Sequence, residues 1–410
     1  MHVPRLILVG ALGCLVGCGF QSGEAHIDAS PPAPDAPPDA APCVPWDALN
    51  LSPTVTPCDK ALGVRVDLAL PAGAYTLDTD SGQLSGDMTA KLPGALIPQP
   101  SSSLILRIVN LGQFMIASGA TVSVTGTHPL VFVVHGDATI AGAIDVSARV
   151  DIAGTSTAGP GADDAVDCQM GFGAVGQGGT GTGGAGGAGG GGFGDTGSDG
   201  GDGGGAGHGM HGVHGNATGD PTIVPLRGGC PGGQGGATSS SAGGRAGNGG
   251  GAVEVTALGT IDVTGTGMLK AAGSGGGTPG LLNAGGGAGG SGGAILLDGN
   301  TVQVEASGAL CANGGAGGEG GGGVSTNGSG ENGTCSATQA ARGGTGNSTG
   351  GDGGDGGRLK ATAGQPGGAG NGGAAGGGGA GGGGVGRIRV HGRPVVAIDG
   401  SAIVSPAAAP

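Results

Sequence analysis

Along residues 104–405, apolar and polar positions alternate in short runs that recur as imperfect copies. In GAVEVTALGTIDVTG (251–265), Val253, Val255, Ile261 and Val263 fall on one face and Glu254, Thr256, Asp262 and Thr264 on the other. Period two is the mark of a strand, because successive side chains of an extended chain point to opposite sides. GAILLDGNTVQVEA (293–306) repeats the pattern. The first copy continues Gly-Met-Leu-Lys-Ala-Ala-Gly and the second Gly-Ala-Leu-Cys-Ala-Asn-Gly. Apolar strand starts recur at Val253, Ile261 and Leu269, at Ile295, Val302 and Leu310, at Leu106, Phe114 and Val122, and at Ile388 and Val396. A less regular copy covers 130–148 and ends Ile144-Asp145-Val146.

Three short strands per copy, each too small to bury its own apolar face, predict an all-β chain. Copies stacked with their strands parallel form a β-solenoid, or parallel β-helix. A β-sandwich of the same strands is the alternative. Residues 43–103 precede the copies as an N-terminal β-rich cap region, and 406–410 form a tail.

Glycine-rich insertions interrupt the copies at about 149–250, 273–292 and 313–385, following Ala148, Ala272 and Ala312. These are equivalent points in the repeat, so all three insertions leave one corner and become neighbours in space. Glycine supplies 110 of 410 residues, and its large ordering entropy makes disorder the default. Against that, every third residue from Ala185 to Gly215 is Gly or Ala. A strand with three residues per turn then shows a bare edge on which another backbone packs. The tracts are read as either a polyglycine-II bundle or disordered.

The N-terminus carries export information. Arg5 is followed by an apolar run from Leu6 to Val16, too short for a membrane span of about 20 residues and suited to a secretory leader. Leu15-Val16-Gly17-Cys18 resembles the bacterial lipobox, whose cysteine is lipidated and becomes the new N-terminus. The resemblance implies a signal peptide over 1–17 and a lipid on Cys18. Gly19, where Asp would favour the inner membrane, implies the bacterial outer membrane, with the chain facing the surface or the periplasm. Residues 18–42, rich in Pro, Ala and Asp, read as an extended stalk.

Composition narrows the partners. One Trp, one Tyr and five Phe leave a thin, aliphatic core and few platforms for sugars. A formal charge of −14 with 15 Lys plus Arg argues against nucleic acid. Of eight cysteines, Cys14 and Cys18 lie in or next to the leader, leaving six. An even number in an exported chain suggests disulfides, most simply Cys43–Cys58, Cys168–Cys230 and Cys311–Cys335; free or otherwise paired thiols are the alternative. Cys311 aligns with the outward Lys270 and Asp145, so its thiol points away from the core and can reach Cys335.

Little in the chain points to chemistry. His208, His211 and His214 recur three apart and are candidate metal ligands, weighed against a solvated surface. Three residues per turn put them roughly 9 Å apart, too far to share an ion at ~2.1 Å. Asp352 and Asp355 in GGDGGDGG resemble the start of a calcium-binding nonapeptide, but Gly357 stands where its apolar residue belongs and no tandem array follows. Asp78-Thr79-Asp80-Ser81-Gly82 resembles an aspartic-protease motif without a second copy, and is read as a turn. Outward charges such as Glu254, Asp262, Lys270 and Glu305 form no constellation. No catalytic residue and no cofactor is assigned.

The whole chain resembles a class of glycine-rich bacterial surface lipoproteins. The residues that carry the match are Leu15–Cys18, the Pro/Asp/Ala stalk, the strands of 104–148, and the Gly-Gly-Ala-Gly-Gly tracts closed by Val-Gly-Arg-Ile-Arg-Val (385–390). Compositional likeness extends to PGRS-type proteins. The resemblance implies location and shape: a non-catalytic spacer, coat or adhesive module, held to a membrane by its lipid and facing cell-envelope or extracellular surfaces. A β-helix carbohydrate-active enzyme, lyase or hydrolase, is the first alternative. A metal- or ice-binding solenoid is the second.

Overall fold

The alternating segments build two sheets, and the chain passes from one to the other in every copy. The computed structural model describes residues 43–410 except 52–54, 100–101, 151–155, 281–282, 323–327, 346–348 and 374. In the first sheet Val66–Leu70, Ile105–Ile116, Leu130–Val134, Ala252–Val263, Ala294–Val304 and Arg387–Ile398 lie side by side, all parallel. In the second, Gly73–Asp78, Ala120–Thr125, Ala143–Asp145, Met268–Lys270, Ala309–Cys311 and Ile403–Ser405 do the same. Two of these strands precede residue 104: Val66–Leu70 and Gly73–Asp78 already pair in parallel with the strands that follow. The protein is all-β. Among the described residues the only helical element is a 3-10 turn at Lys60–Leu62, and no helix is long and apolar enough to cross a membrane.

Register explains why copies stack. Val253, Ile295 and Ile388 fall in one row, and Ile261, Val302 and Val396 in another. Leu269, Leu310 and Val404 form a third, in the opposite sheet. Apart from Val396, which is exposed at the end of the stack, these rows meet between the sheets in a single apolar core, which no copy closes alone. The expected three strands per copy become two, because the first two beats fuse. Ala252–Val263 runs through both, with a register shift between Ala257 and Thr260, and Ala294–Val304 shifts between Gly299 and Thr301. A bulge re-aims a strand without ending it. Only Leu130–Val134 and Ala138–Ile140 stay separate.

The first sheet is buried on both faces along the first halves of its inner strands. Leu106, Ile108, Val131, Val133, Ala252 and Leu296 point away from the main core and pack with Leu51, Leu62, Phe193, Ile223 and Leu226. This accounts for the unbroken apolar run Leu130–Val134, since a doubly covered strand has no polar side. It also corrects the reading of Glu254 and Thr256. Both do face outward, but both are fully buried, because residues 46–51 and the first glycine insertion cover that face.

The described residues of the glycine insertions are hydrogen-bonded to one another. Gly187, Ala188 and Gly189 donate to Gly201, Gly286 and Ala174; Gly190, Gly191 and Gly192 then donate to Ser198, Gly289 and Gly171. Successive N–H groups therefore point to three different neighbours, and every third returns to the same one, as a threefold screw requires. The three insertions interlock: Gly286 donates to Gly378, and Gly378 to Ala185. The period over 185–215 runs through reversals rather than along one strand. Gly184, Gly187 and Gly190 pair antiparallel with Gly204, Gly201 and Ser198, while Gly209, Gly212 and Gly215 donate to Gly184, Gly187 and Gly190 in parallel. Ala188, Ala288 and Ala380 meet at one buried point, one from each insertion.

Where no neighbouring carbonyl is available, acidic side chains accept instead. Asp199 takes the His214 N–H, Asp202 that of His211, Asp355 that of Gly343, and Glu331 that of Arg342. Part of the acidic composition is thus a set of acceptors for outer strands whose donors would otherwise be unpaired.

Among the described residues the cysteines pair as Cys43–Cys58, Cys168–Cys230 and Cys311–Cys335. Asp145 pairs with Lys270 and Lys270 with Cys311, as the repeat alignment predicts. Cys311 stands outside the main core cluster, but its bond to Cys335 leaves it fully buried. Cys43–Cys58 closes the segment that carries Trp46 and Asn50. Cys43→Ser/Cys58→Ser is expected to lower stability by about 3 kcal/mol, the chain entropy of a loop this short. Urea unfolding that shows no loss would mean the segment is held by packing alone.

Candidate functional site

Two polar constellations stand out, one on the glycine layer and one beneath the N-terminal segment. The first is a ladder between strands 197–204 and 208–216. Gly197, Gly200 and Gly203 donate to Gly215, Gly212 and Gly209. That register places His214 opposite Asp199 and His211 opposite Asp202. The His214 Nδ1 lies 2.6 Å from Asp199 Oδ1, and the His211 Nδ1 2.7 Å from Asp202 Oδ1. His208 completes the row, its Nδ1 3.0 Å from the Gly205 carbonyl. Burial pushes the Asp199 carboxyl up, but the His214 backbone and side-chain hydrogen bonds outweigh it and hold the group below the usual carboxylate range. The same two bonds from His211, led by the backbone one, hold Asp202 low.

The second constellation crosses three neighbouring strands. Thr256 pairs with Asp298 and Asp298 with His391 in the parallel register. Trp46 Nε1 donates to Thr256 Oγ1 at 2.9 Å, Thr256 Oγ1 donates to Asp298 Oδ2 at 3.1 Å, and His391 Nδ1 stands 2.8 Å from Asp298 Oδ1. The Arg393 guanidinium lies 3.7 Å from the same oxygen, so the buried Asp298 has a cation beside it. Glu254 has none in contact. Its Oε2 accepts from Asn50 Nδ2 at 2.9 Å, while Glu254 Oε1 and Asn50 Oδ1 are both buried without a partner. Both orphan atoms are acceptors, and a proton on Oε1 would turn one of them into a donor. Burial, reinforced by the charge of Asp298, pushes the Glu254 carboxyl up to about 8. Desolvation favours the neutral acid for the same reason that the orphan acceptors require it.

The other sequence candidates fall elsewhere. Asp352 offers its backbone carbonyl to Gly368, and Asp355 uses Oδ1 on Gly343 and its carbonyl on Gln365, so both serve the glycine layer. Among the described residues no group of three or more His, Cys, Asp or Glu is placed to hold one metal ion. Asp78 accepts from the Asp80 N–H and the Ser81 hydroxyl and closes the turn between Gly73–Asp78 and Gln83–Gly86. Cys18, with the leader and the stalk, lies outside the described residues. Sequence reading missed the buried Glu254–Asn50–Asp298 group. Its one visible signal was Glu254 standing in a strand whose neighbours are buried on both sides.

No protein-family model matches this chain, and the comparisons with curated proteins and with solved structures yield no match. Its function is therefore argued from the sites themselves.

Proposed function

We propose that this chain is a non-catalytic lipoprotein of the bacterial cell surface, a rigid spacer or adhesive module anchored through Cys18 to the outer membrane. On this reading the two-sheet coil is a parallel β-solenoid, and the insertions form a polyglycine-II bundle docked on one of its corners. The observation that carries it is the hydrogen bonding of the insertions to one another. Tracts that would be flexible by composition have their backbone donors placed on neighbouring strands. A body of this kind spends its glycines on stiffness, because only a residue without Cβ lets backbones approach this closely. The two buried carboxyls of Glu254 and Asp298 lie under Trp46 and Asn50, out of a polysaccharide's reach. That weighs against the carbohydrate-active alternative.

The reading makes a direct prediction. Full-length chain treated with thermolysin under native conditions is expected to survive through 173–250 and 283–321, although a disordered tract would be cut readily before its apolar residues, such as Val175, Phe193, Met210 and Val213. Rapid cleavage inside either range would sink the rigid-module reading. Product release from a panel of cell-wall and plant polysaccharides would sink the non-catalytic one. Labelled fatty acid incorporated by the wild type and lost in Cys18→Ser tests the anchor.

A further inference from the structure

His208, His211 and His214 share a feature that their spacing alone does not reveal. Each Nδ1 faces an oxygen able only to accept: the Gly205 carbonyl, Asp202 Oδ1 and Asp199 Oδ1. Nδ1 therefore carries the hydrogen in all three rings, and in each neutral ring Nε2 keeps its lone pair. His208 is exposed, and the His211 and His214 side chains are 32% and 39% exposed. A carboxylate or carbonyl on the far nitrogen is the arrangement that fixes tautomer and raises basicity in histidine metal ligands. The ladder is thus a row of three oriented imidazole donors.

Within one chain the rings cannot share an ion, since successive turns stand roughly 9 Å apart and zinc–nitrogen bonds are about 2.0–2.1 Å. Two copies remove that obstacle. Set face to face and antiparallel, the ladders match rung for rung: His208 meets His214 of the second copy, His211 meets His211, and His214 meets His208. The spacing is the same in both copies, so all three rungs align together, as a twofold interface demands.

We propose that this ladder is a metal-bridged self-association site. A divalent transition ion, zinc foremost, is held at each rung by one Nε2 from each of two copies, with water completing its shell. Imidazole suits zinc, copper and nickel. The Asp199 and Asp202 carboxyls behind the rings suit a cation, and bridging ions offset the repulsion between two chains of formal charge −14. Two nitrogens per ion bind weakly alone, but three aligned rungs act as one multivalent contact. The proposal deepens the adhesive reading and rests on it for its setting. Its failure leaves the rigid spacer standing, because the protease test above reads the order of the tracts and not their association.

The test uses the full-length chain carrying Cys18→Ser, so that lipid does not cause association. Sedimentation velocity with added zinc chloride is expected to show the mass doubling and returning to monomer on EDTA. His208→Ala/His211→Ala/His214→Ala, checked for an unchanged circular dichroism spectrum and urea midpoint without zinc, is expected to stay monomeric. His128→Ala, off the ladder, is expected to dimerise as the parent does. No zinc-dependent change in mass, or the same change in the triple variant, overturns the proposal. Zinc uptake by a chain that remains monomeric overturns the two-copy arrangement.

Discussion

Replacing Glu254 by Gln is expected to flatten the fall in folding stability predicted for the wild-type chain as pH rises from about 4.5 to about 8. The Glu254 carboxyl sits near 8 when folded against an ordinary 4.5, so between those values the folded chain binds a proton that the unfolded chain has released. Stability is then fully present below the unfolded pKa and is lost as pH climbs through the folded one, at most about 5 kcal/mol in all. The glutamine side chain keeps an acceptor for Asn50 Nδ2 and carries a permanent N–H donor, doing at every pH what the protonated acid does. Asp163 is pushed to about 7 by burial and adds a slope of the same sign that persists in the variant. The difference between the two proteins, measured by urea unfolding across this range, therefore isolates Glu254. Parallel profiles would mean that Glu254 is ionised when folded.

Gly187→Val is expected to cost about 4 kcal/mol or more, enough to unfold a marginal domain. A Cβ on Gly187 would stand 1.9 Å from the Gly379 carbonyl oxygen and 2.5 Å from its carbon. Neither is a movable side-chain end, so the strands must part. Parting them breaks the bonds that Gly378 and Gly381 donate to the Ala185 and Ala188 carbonyls, each worth about 1 kcal/mol net, on top of an overpacking cost of about 1–3 kcal/mol. The residue next along, Ala188, already carries a methyl in the pocket it shares with Ala288 and Ala380, and Ala188→Gly is expected to cost only about 1 kcal/mol. Gly372, whose Cβ would meet nothing within 4 Å, is the control: Gly372→Val is expected to stay within about 0.5 kcal/mol. Equal losses at Gly187 and Gly372 would show that glycine matters there for composition and not for position.

These predictions divide along what the chain states openly. Val253, Val255, Ile261 and Val263 announce their strand because period two is local: each residue's face follows from its neighbours along the chain. Equivalence of Asp145, Lys270 and Cys311 was legible for a related reason, since repeated copies must stack in register to bury apolar rows. The expectation of a shared corner for the insertions rests on that register, whereas the simplest cysteine pairing rests on adjacency along the chain. The fusion of two beats into Ala252–Val263 was not legible, because a bulge and a turn both interrupt alternation in the same way.

Glu254 is the clearest case of the opposite kind. By pattern it is an outward charge on a half-buried strand, yet it is buried because Asn50, more than two hundred residues earlier, is brought over it. Likewise the histidine triplet is visible as spacing, but the tautomer of each ring depends on Asp199, Asp202 and Gly205 folding back beside it. The sequence by itself determined the strand periodicity, the copy-to-copy register and the threefold recurrence of glycine, all properties of short stretches of chain. Only the tertiary structure decided that the glycine tracts order against one another, which face is covered, and which side chains find a partner. Those outcomes depend on desolvation and hydrogen bonds between distant segments, and neither is written in any local pattern.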